Sequence, residues 1–417
     1  MRPEIRHAEN FLFSKDPRLT FEMLLPRFRD PGLPFAVGGR ATHQFFWARN
    51  AIYHGLRALN VKPGDNILVP SYHCTSVVEP IRRYGAEVKF YKIGLDLRPD
   101  LSEIERKIDP NTRALLAIHY FGFPQPIIEI KTACRERGLF LIEDCAHVLN
   151  GRTAEGIPLG VSGDISIFSW RKFLPLYDGG QLVINNAALR LEDHWDSGGA
   201  LFALKIAKNL FDKLLEDSKT TFLNRLGELS HASTAILRRI VSANGYDSGL
   251  NHVNSYDLEF NPDFVNLKMS RLSHYILRQI DIEEVARVRR ANYLMFLRGV
   301  EQLTGAKPLY PSLPQDVVPW VFPLLVQRSK DIHLKLRQRG IPATNWSGVI
   351  HPALSVNDFP ESRFLYDNLI FLPVHQSLER RDLETMQSVL SEVLAEHTQA
   401  RAQDSHGGFP LSAFSRR

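Results

Sequence analysis

The chain has 417 residues and only three cysteines, Cys74, Cys134 and Cys145. They form no CxxC pair and no even disulfide set, so a reducing compartment is expected. No uninterrupted run of about 18 apolar residues occurs, which argues against a transmembrane helix. The N-terminal stretch MRPEIRHAENFLFSKDPRL lacks the long apolar core of a signal peptide. A soluble, cytoplasmic protein is expected. Charge of one sign is scarce as well. The excess of 51 Lys plus Arg over 46 Asp plus Glu is only +5, with no basic tract of the kind that binds nucleic acid. So mild an excess suits an anionic small molecule at least as well. There is no internal repeat.

What is present is ordinary globular composition, 44% hydrophobic and 23% charged, in a chain long enough for two or three domains. Between residues 48 and 185 helical and strand patterns alternate. ARNAIYHGLRALNV places Ala51, Ile52, Leu56 and Leu59 at helical spacing, and NILVP follows as a short apolar run. Further strands are read in AEVKFYKI, RALLAIHYF, LFLIEDCAH, ISIFSW and GGQLVIN. Helices are read from about Thr75 to Tyr84, in LSEIERKI, and in PIIEIKTACRERG. Strands apolar on both faces and separated by helices predict an α/β fold with a mainly parallel, doubly covered sheet. Ligands in such sheets collect beyond the carboxyl ends of the strands. The candidates there are Tyr72-His73-Cys74, His119-Tyr120, Glu143-Asp144, and Ser169 with Lys172.

Lys172 stands in FSWRKFLPLYDGGQLV, at the end of an apolar run and beside Arg171. A lysine at a strand end ordinarily reaches solvent. If it instead forms a Schiff base with a pyridine cofactor, three further groups are needed: a carboxylate for the ring nitrogen, donors for a phosphate, and a polar group for the ring hydroxyl. Asp144 ends the strand LFLIED, His147 follows three residues later, and Ser169 offers a hydroxyl near the lysine. Gly179-Gly180 allows a tight return into GGQLVIN. Singly, Asp144 reads as a helix cap and His147 as a satisfied buried histidine. Cys145 with His147 lacks a second ligand pair for a metal, so none is expected. Together these residues fall on one edge of one sheet.

With IEDCAH, FSWRKFLPLYDGGQLV and NLKMS at 266–270, the chain resembles the DegT/StrS family of pyridoxal-phosphate-dependent sugar aminotransferases. The resemblance covers about residues 36 to 395, including LRALNVKPGDNILVPSYHC near the start and NLIFLPVHQSL near the end. It implies a fold-type-I architecture: a large domain on a mainly parallel, seven-stranded type of sheet and a smaller C-terminal α+β domain. It also implies that Lys172 carries pyridoxal 5'-phosphate and moves the proton in transamination. Asp144 then pairs with the pyridine nitrogen, His147 lies near the ring hydroxyl, and Ser169 binds the phosphate. Asn266 reaches the phosphate of the neighbouring subunit, so a homodimer with shared active sites is implied. The implied substrates are a nucleotide-linked keto-sugar and an amino-acid donor such as glutamate, in polysaccharide or secondary-metabolite sugar biosynthesis.

The chain also departs from the family pattern. Where the family reads a small-residue SGTAAL, this chain reads WARNAI; the backbone amides of Ala48, Arg49 and Asn50 could still cradle a phosphate at a helix N-terminus. The ring-stacking aromatic falls by position on His73 or Cys74, with His73 preferred. The expected organisation is an N-terminal segment 1–35, a cofactor-binding domain 36–195, a helical insertion 196–255, a long helical connection 256–316, a C-terminal α+β domain 317–396 and a disordered tail 397–417. In the insertion, Leu201, Leu204, Ile206, Leu210, Phe211 and Leu214 make an apolar surface beside Lys205, Lys208 and Lys213. That suits a helix packed on the body, a lid over an anionic substrate, or contact with an acidic membrane. Two other functions fit the same residues: a lyase or decarboxylase using the same cofactor, and a non-catalytic regulatory protein on the same fold.

Overall fold

The alternating runs fold into the larger of two sheets in a computed structural model, which describes residues 11–26, 40–192, 194–217 and 260–403. In chain order the first elements are β1 (Ala41–Phe45), α1 (Ala48–Ala58), β2 (Asn66–Pro70), α2 (Thr75–Tyr84), β3 (Glu87–Tyr91) and α3 (Leu101–Lys107). There follow β4 (Thr112–Ile118), α4 (Ile127–Glu136), β5 (Phe140–Cys145), β6 (Ile165–Ser169) and β7 (Gly180–Ile184). The sheet order is β1-β7-β6-β5-β4-β2-β3. Strands β3, β2, β4, β5 and β6 are parallel, and β7 and β1 join antiparallel. This is the mainly parallel α/β sheet that the apolar runs predict.

Strands β2, β6 and β7 are buried at every position, as strands covered by helices on both faces must be. The strand order reverses between β2 and β4, so the connections leaving their carboxyl ends part to opposite sides and open a crevice there. Strand β1 is not announced by its sequence. ATHQF is half polar and only Phe45 is buried, and the pairing with β7 supplies what the pattern lacks.

Helix α5 (Gly199–Asp217) turns Phe202, Ile206, Leu210 and Leu214 inward at a spacing of four, and leaves Leu204 and Phe211 exposed. The Phe202 ring meets Phe46 edge-on at 5.3 Å, so the helix packs on the body. Residues 218–255, the remainder of the expected insertion, lie outside the described residues. The single long helical pattern expected after it is two helices, α6 (Arg271–Gln279) and α7 (Ile282–Val300). Asp281 sets the break: its carboxylate accepts from the Glu284 amide at 3.0 Å and starts α7 afresh.

A second sheet of β8 (Ala306–Pro308), β9 (Val321–Val326) and β10 (Leu369–Pro373) is antiparallel in the order β10-β9-β8. Helices α8 (Ser329–Gln338), α9 (Pro360–Asn368) and α10 (Arg380–Gln403) accompany it. Helix α10 runs on past residue 396, because TQARAQ continues with good helix formers. Residues 404–417 lie outside the described residues. The second sheet is tied to the first by short polar contacts. Ser71 Oγ meets Ser362 Oγ at 2.6 Å, and Tyr366 Oη accepts from the His73 amide at 3.0 Å. Gly122 lets the chain before β9 pass closely, since a Cβ there would lie 2.2 Å from the Val318 carbonyl oxygen. Among the described residues no helix is long and apolar enough to cross a membrane.

Candidate active site

At the carboxyl ends of β2, β4, β5 and β6 lies a cavity of about 650 Å³, counting its open mouth. Ala48, Arg49, Asp144, His147, Ser169 and Lys172 all line it. Of the expected site residues, these six are gathered in one place. Lys172 ends a short 3-10 turn, Trp170–Lys172, directly after β6. The turn is pinned: the Trp170 amide donates to the Gly179 carbonyl at 2.8 Å, and the Gly179 amide to the Phe46 carbonyl at 2.9 Å. Gly180 is required by close approach, because a Cβ there would lie 2.4 Å from the Ala48 nitrogen and 2.2 Å from the Trp47 carbonyl carbon. The missing side chain lets the N-terminus of α1 sit down on the start of β7, beside the lysine loop.

Burial lowers the Lys172 ammonium to about 8; Cys74 and Asp144 oppose the shift, and Arg171 adds to it. Roughly a tenth of such an amine is neutral at pH 7, against a few in ten thousand for an ordinary lysine. It is therefore a usable nucleophile that still holds its proton most of the time. Asp144 is buried, and burial raises its carboxyl, opposed by the Ala146 amide, Lys172 and His119. Its Oδ1 accepts from Ala146 at 2.8 Å, and Oδ2 has no hydrogen bond among the described residues. That is a carboxylate poised for a cation. His147 accepts the Phe121 amide on Nδ1 at 3.3 Å, so a neutral imidazole carries its proton on Nε2. Burial, then the Lys172 charge, push His147 well below its ordinary range, which keeps it a neutral donor.

Two expected residues lie elsewhere. Asn50 does not line the cavity: its amide already donates to the Trp47 carbonyl at 3.0 Å, closing the first turn of α1. Its side chain donates to the Phe264 carbonyl at 2.5 Å. The cradle at this helix end is thus left to the amides of Ala48 and Arg49, the first two of α1. His73 is turned into the core. Its ring stacks on Phe90 at 5.1 Å and its Nδ1 meets the Pro70 carbonyl at 2.9 Å, so it cannot stack on a ligand in the cavity. Cys74, the other candidate by position, does line it.

Asn266 is exposed in the segment 266–270, which runs beside β1 and contributes nothing to this cavity within one protomer. Its carbonyl accepts from Asp196 at 2.8 Å, and the Phe46 amide donates to the next carbonyl, Leu267, at 2.9 Å. Asp178 anchors the segment's end, accepting from the Ser270 amide at 3.1 Å; burial raises its carboxyl to about 6 against bonds from Ser273 and Ser270.

His119, Glu143 and Cys145 form a buried cluster with ligand atoms within 4.8 Å of one another. Its ligand atoms are nevertheless committed. Glu143 accepts from the amides of Gly160 (2.6 Å), Ser162 (2.9 Å) and Gly163 (2.7 Å) and from His119 Nε2 (2.9 Å). His119 Nδ1 accepts from the Gln125 amide at 3.0 Å. Burial alone would raise Glu143, but His119 and the glycine amides hold it below its ordinary range. The pair is a buried strut beneath Asp144, whose carbonyl accepts the His119 amide at 3.1 Å. The Tyr120 hydroxyl is likewise internal, donating to the Tyr72 carbonyl.

The cavity has further walls that the strand-end argument does not find. Trp346 lines it from the loop after α8, and Trp320 lies beneath Lys172, with Nζ 4.8 Å from its ring centroid. Neither tryptophan sits in a periodic pattern. Lys172 also borders a second cavity of about 410 Å³, together with Arg289, Trp320, His375 and the N-terminal Lys15–Pro17.

The fold is one already solved for aminotransferases. An aminotransferase, TlmJ, from Streptoalloteichus hindustanus superposes with a TM-score of 0.60 at 20% identity, over 86% of each chain. Spr1654 from Streptococcus pneumoniae in its PLP form gives 0.61 at 16% identity, over 94% of each chain. Residues 48–193 match the family model of the DegT/DnrJ/EryC1/StrS aminotransferase family, and over this segment the resemblance seen in the motifs is shown. GDP-perosamine synthase of Vibrio cholerae is 34% identical over 139 residues, 33% of this chain and 38% of that protein. A dTDP-4-dehydro-2,3,6-trideoxy-D-glucose 4-aminotransferase of Saccharopolyspora spinosa is 34% identical over 133 residues, 31% of this chain and 34% of that protein. The matches thus span well under half the length of these curated relatives. The family-model match, 48–193, includes Asp144, Ser169 and Lys172.

Proposed function

We propose that the protein is a pyridoxal-phosphate-dependent aminotransferase that passes the amino group of an amino acid to a nucleotide-linked keto-sugar. The observation that carries this reading is the meeting, in one cavity, of a nucleophilic lysine, a buried carboxylate with an open oxygen and a helix N-terminus seated on a glycine. The residues present fit the cofactor. The amides of Ala48 and Arg49 and the Ser169 hydroxyl suit its phosphate, Asp144 Oδ2 its pyridine nitrogen, and His147 Nε2 its ring oxygen. When bound, the cofactor supplies an electron sink that stabilises a carbanion at the amino-bearing carbon.

The protein's part is to bind, orient and move protons. Asp144 would hold the charge on the ring nitrogen. Lys172 would hold the cofactor through Nζ and, when that amine is free, would take up and give back a proton. Its place between two cavities gives the amine one side for the cofactor and another for substrate. The two curated relatives are named for sugars on different nucleoside diphosphates, which supports the substrate class without fixing the carrier. A homodimer is part of the reading, with Asn266 completing the partner's phosphate site. The test is borohydride reduction of protein incubated with pyridoxal phosphate, followed by peptide mapping. The adduct belongs on Lys172, and an adduct on any other lysine overturns the reading. Mass spectrometry of a nucleotide keto-sugar incubated with enzyme and glutamate then checks for the amino-sugar.

A further inference from the structure

Trp320 is given no task by the cofactor reading. It stands just before β9, and its amide donates to the Phe121 carbonyl at 2.9 Å, so its backbone bridges the two sheets. Its ring packs against His147 at 4.2 Å and 17°, and Lys172 Nζ lies 4.8 Å from its centroid. An indole face attracts an ammonium and has little hold on a neutral amine.

The contact is framed from behind. Arg289 of α7 is buried and donates to the Trp320 carbonyl through Nη1 at 2.9 Å and to the Phe173 carbonyl through Nη2 at 3.0 Å. Phe173 is the residue after Lys172. Gln376 completes the frame, accepting from Arg289 Nε at 3.0 Å and donating to Phe173 at 2.9 Å. One guanidinium therefore fixes the backbone on both sides of the amine–ring contact. A four-carbon side chain is otherwise free to wander.

We propose that Trp320 is a positioning residue for Lys172: its face is where the amine rests when not bonded to the cofactor, and it favours the protonated form there. The inference rests on Lys172 being the cofactor-bonding amine. In transamination that amine must hold a proton at one moment and release it the next, inside a site whose burial disfavours the charge. Several ionisable groups face or surround it. Cys74 before α2 and Asp144 from β5 favour the ammonium, and Arg171 on its own turn opposes it. Lys15, Asp16 and Arg289 share the second cavity with it, and His147 and His375 are held neutral by burial. An aromatic face supports the charge without titrating itself.

The test uses the full chain freed of cofactor. The rate of Lys172 acetylation by acetic anhydride is followed against pH on the Lys172 peptide, for wild type, Trp320→Phe and Trp320→Leu. Removing the indole should lower the midpoint by about 0.5–1.5 pH units in the leucine variant and by less in the phenylalanine variant. The amine then becomes more reactive at pH 7. A midpoint in Trp320→Leu equal to or above wild type overturns the proposal. If the leucine variant fails to fold by circular dichroism, the phenylalanine variant decides by the same sign. Borohydride capture of pyridoxal phosphate on wild type separates the two ideas. No adduct on Lys172 removes the cofactor reading, whereas an adduct with an unmoved midpoint removes only the role of Trp320.

Discussion

Two kinds of wall meet at Lys172. One is made by the ends of parallel strands: Asp144 stands one residue before the end of β5, Ser169 closes β6, and Cys74 stands beyond β2. The other is made by Trp320, Trp346 and Arg289, which come from two loops and a helix in the C-terminal third. On the first wall the backbone direction does the gathering, because parallel strands all end on the same edge. On the second, side chains of distant origin are locked by their own contacts, as Arg289 is by three carbonyls and Gln376. Damage to the first wall should therefore cost chemistry and spare the fold. Damage to the second should cost order and only tune the chemistry.

The sharpest test of that contrast is Lys172→Ala. It should abolish covalent cofactor loading and reduce turnover by at least about 10³-fold, since the bonding amine and the proton carrier are the same group. Absorbance of the purified variant and its thermal unfolding curve check both halves. A variant that still takes up a borohydride-stable adduct would remove the first wall's claim to the chemistry.

Next in size is Asp144→Asn. Losing the carboxylate weakens the electron sink, and turnover should fall by about 10²–10⁴-fold. The stability effect has the opposite sign. The Asp144 carboxyl is raised by burial, so its native state prefers the proton more than the unfolded chain does. Its contribution is therefore most favourable below the unfolded value and is lost as pH rises through the folded one. At pH 7 the cofactor-free wild type carries that cost and the asparagine variant does not. Cofactor-free Asp144→Asn should then melt at the same temperature as wild type or higher at pH 7, with the difference shrinking towards pH 4. A lower melting temperature at pH 7 would show that Asp144 is a structural cap instead.

Arg289→Gln probes the second wall. It leaves the Trp320 carbonyl without its Arg289 donor, while the Phe173 carbonyl keeps the Gln376 amide. An unmet buried polar group of this kind costs about 1–3 kcal/mol, so urea unfolding should report a loss of that order. Lys172 should still accept the cofactor. Unchanged stability would break the comparison, because the second wall would then owe nothing to its frame.

How much of this was legible depends on which wall is considered. The parallel sheet could be read because buried strands spell continuous apolar runs, and Asp144, Ser169 and Lys172 could be read because they end those runs. His73 and Asn50 show where position along the chain stops being enough. Both stand beside the cavity in sequence, yet one ring turns to Phe90 and the other amide closes a helical turn. Strand β1 was hidden because a half-exposed, antiparallel edge needs no apolar run. Trp320, Trp346 and Arg289 had no local signal, since what places them is contact with residues tens to hundreds of positions away.

The smallest expected effect belongs to α5, which lies on neither wall. Its lysines read from the sequence as a lid for an anionic substrate, but no residue of α5 lines either cavity of this protomer. Lys208 is instead paired with Asp212 at 2.5 Å, one helical turn along. A partly exposed pair of that spacing is worth about 0.3–0.5 kcal/mol, so Lys208→Ala should change urea stability by no more than that. The Michaelis constants for the sugar nucleotide and the amino donor should each stay within about twofold of wild type, as neither binding surface includes the residue. A tenfold rise for the sugar nucleotide alone would restore the lid. Because this protomer's own cavities do not touch α5, such a rise would mean that the helix serves the cavity of a second copy.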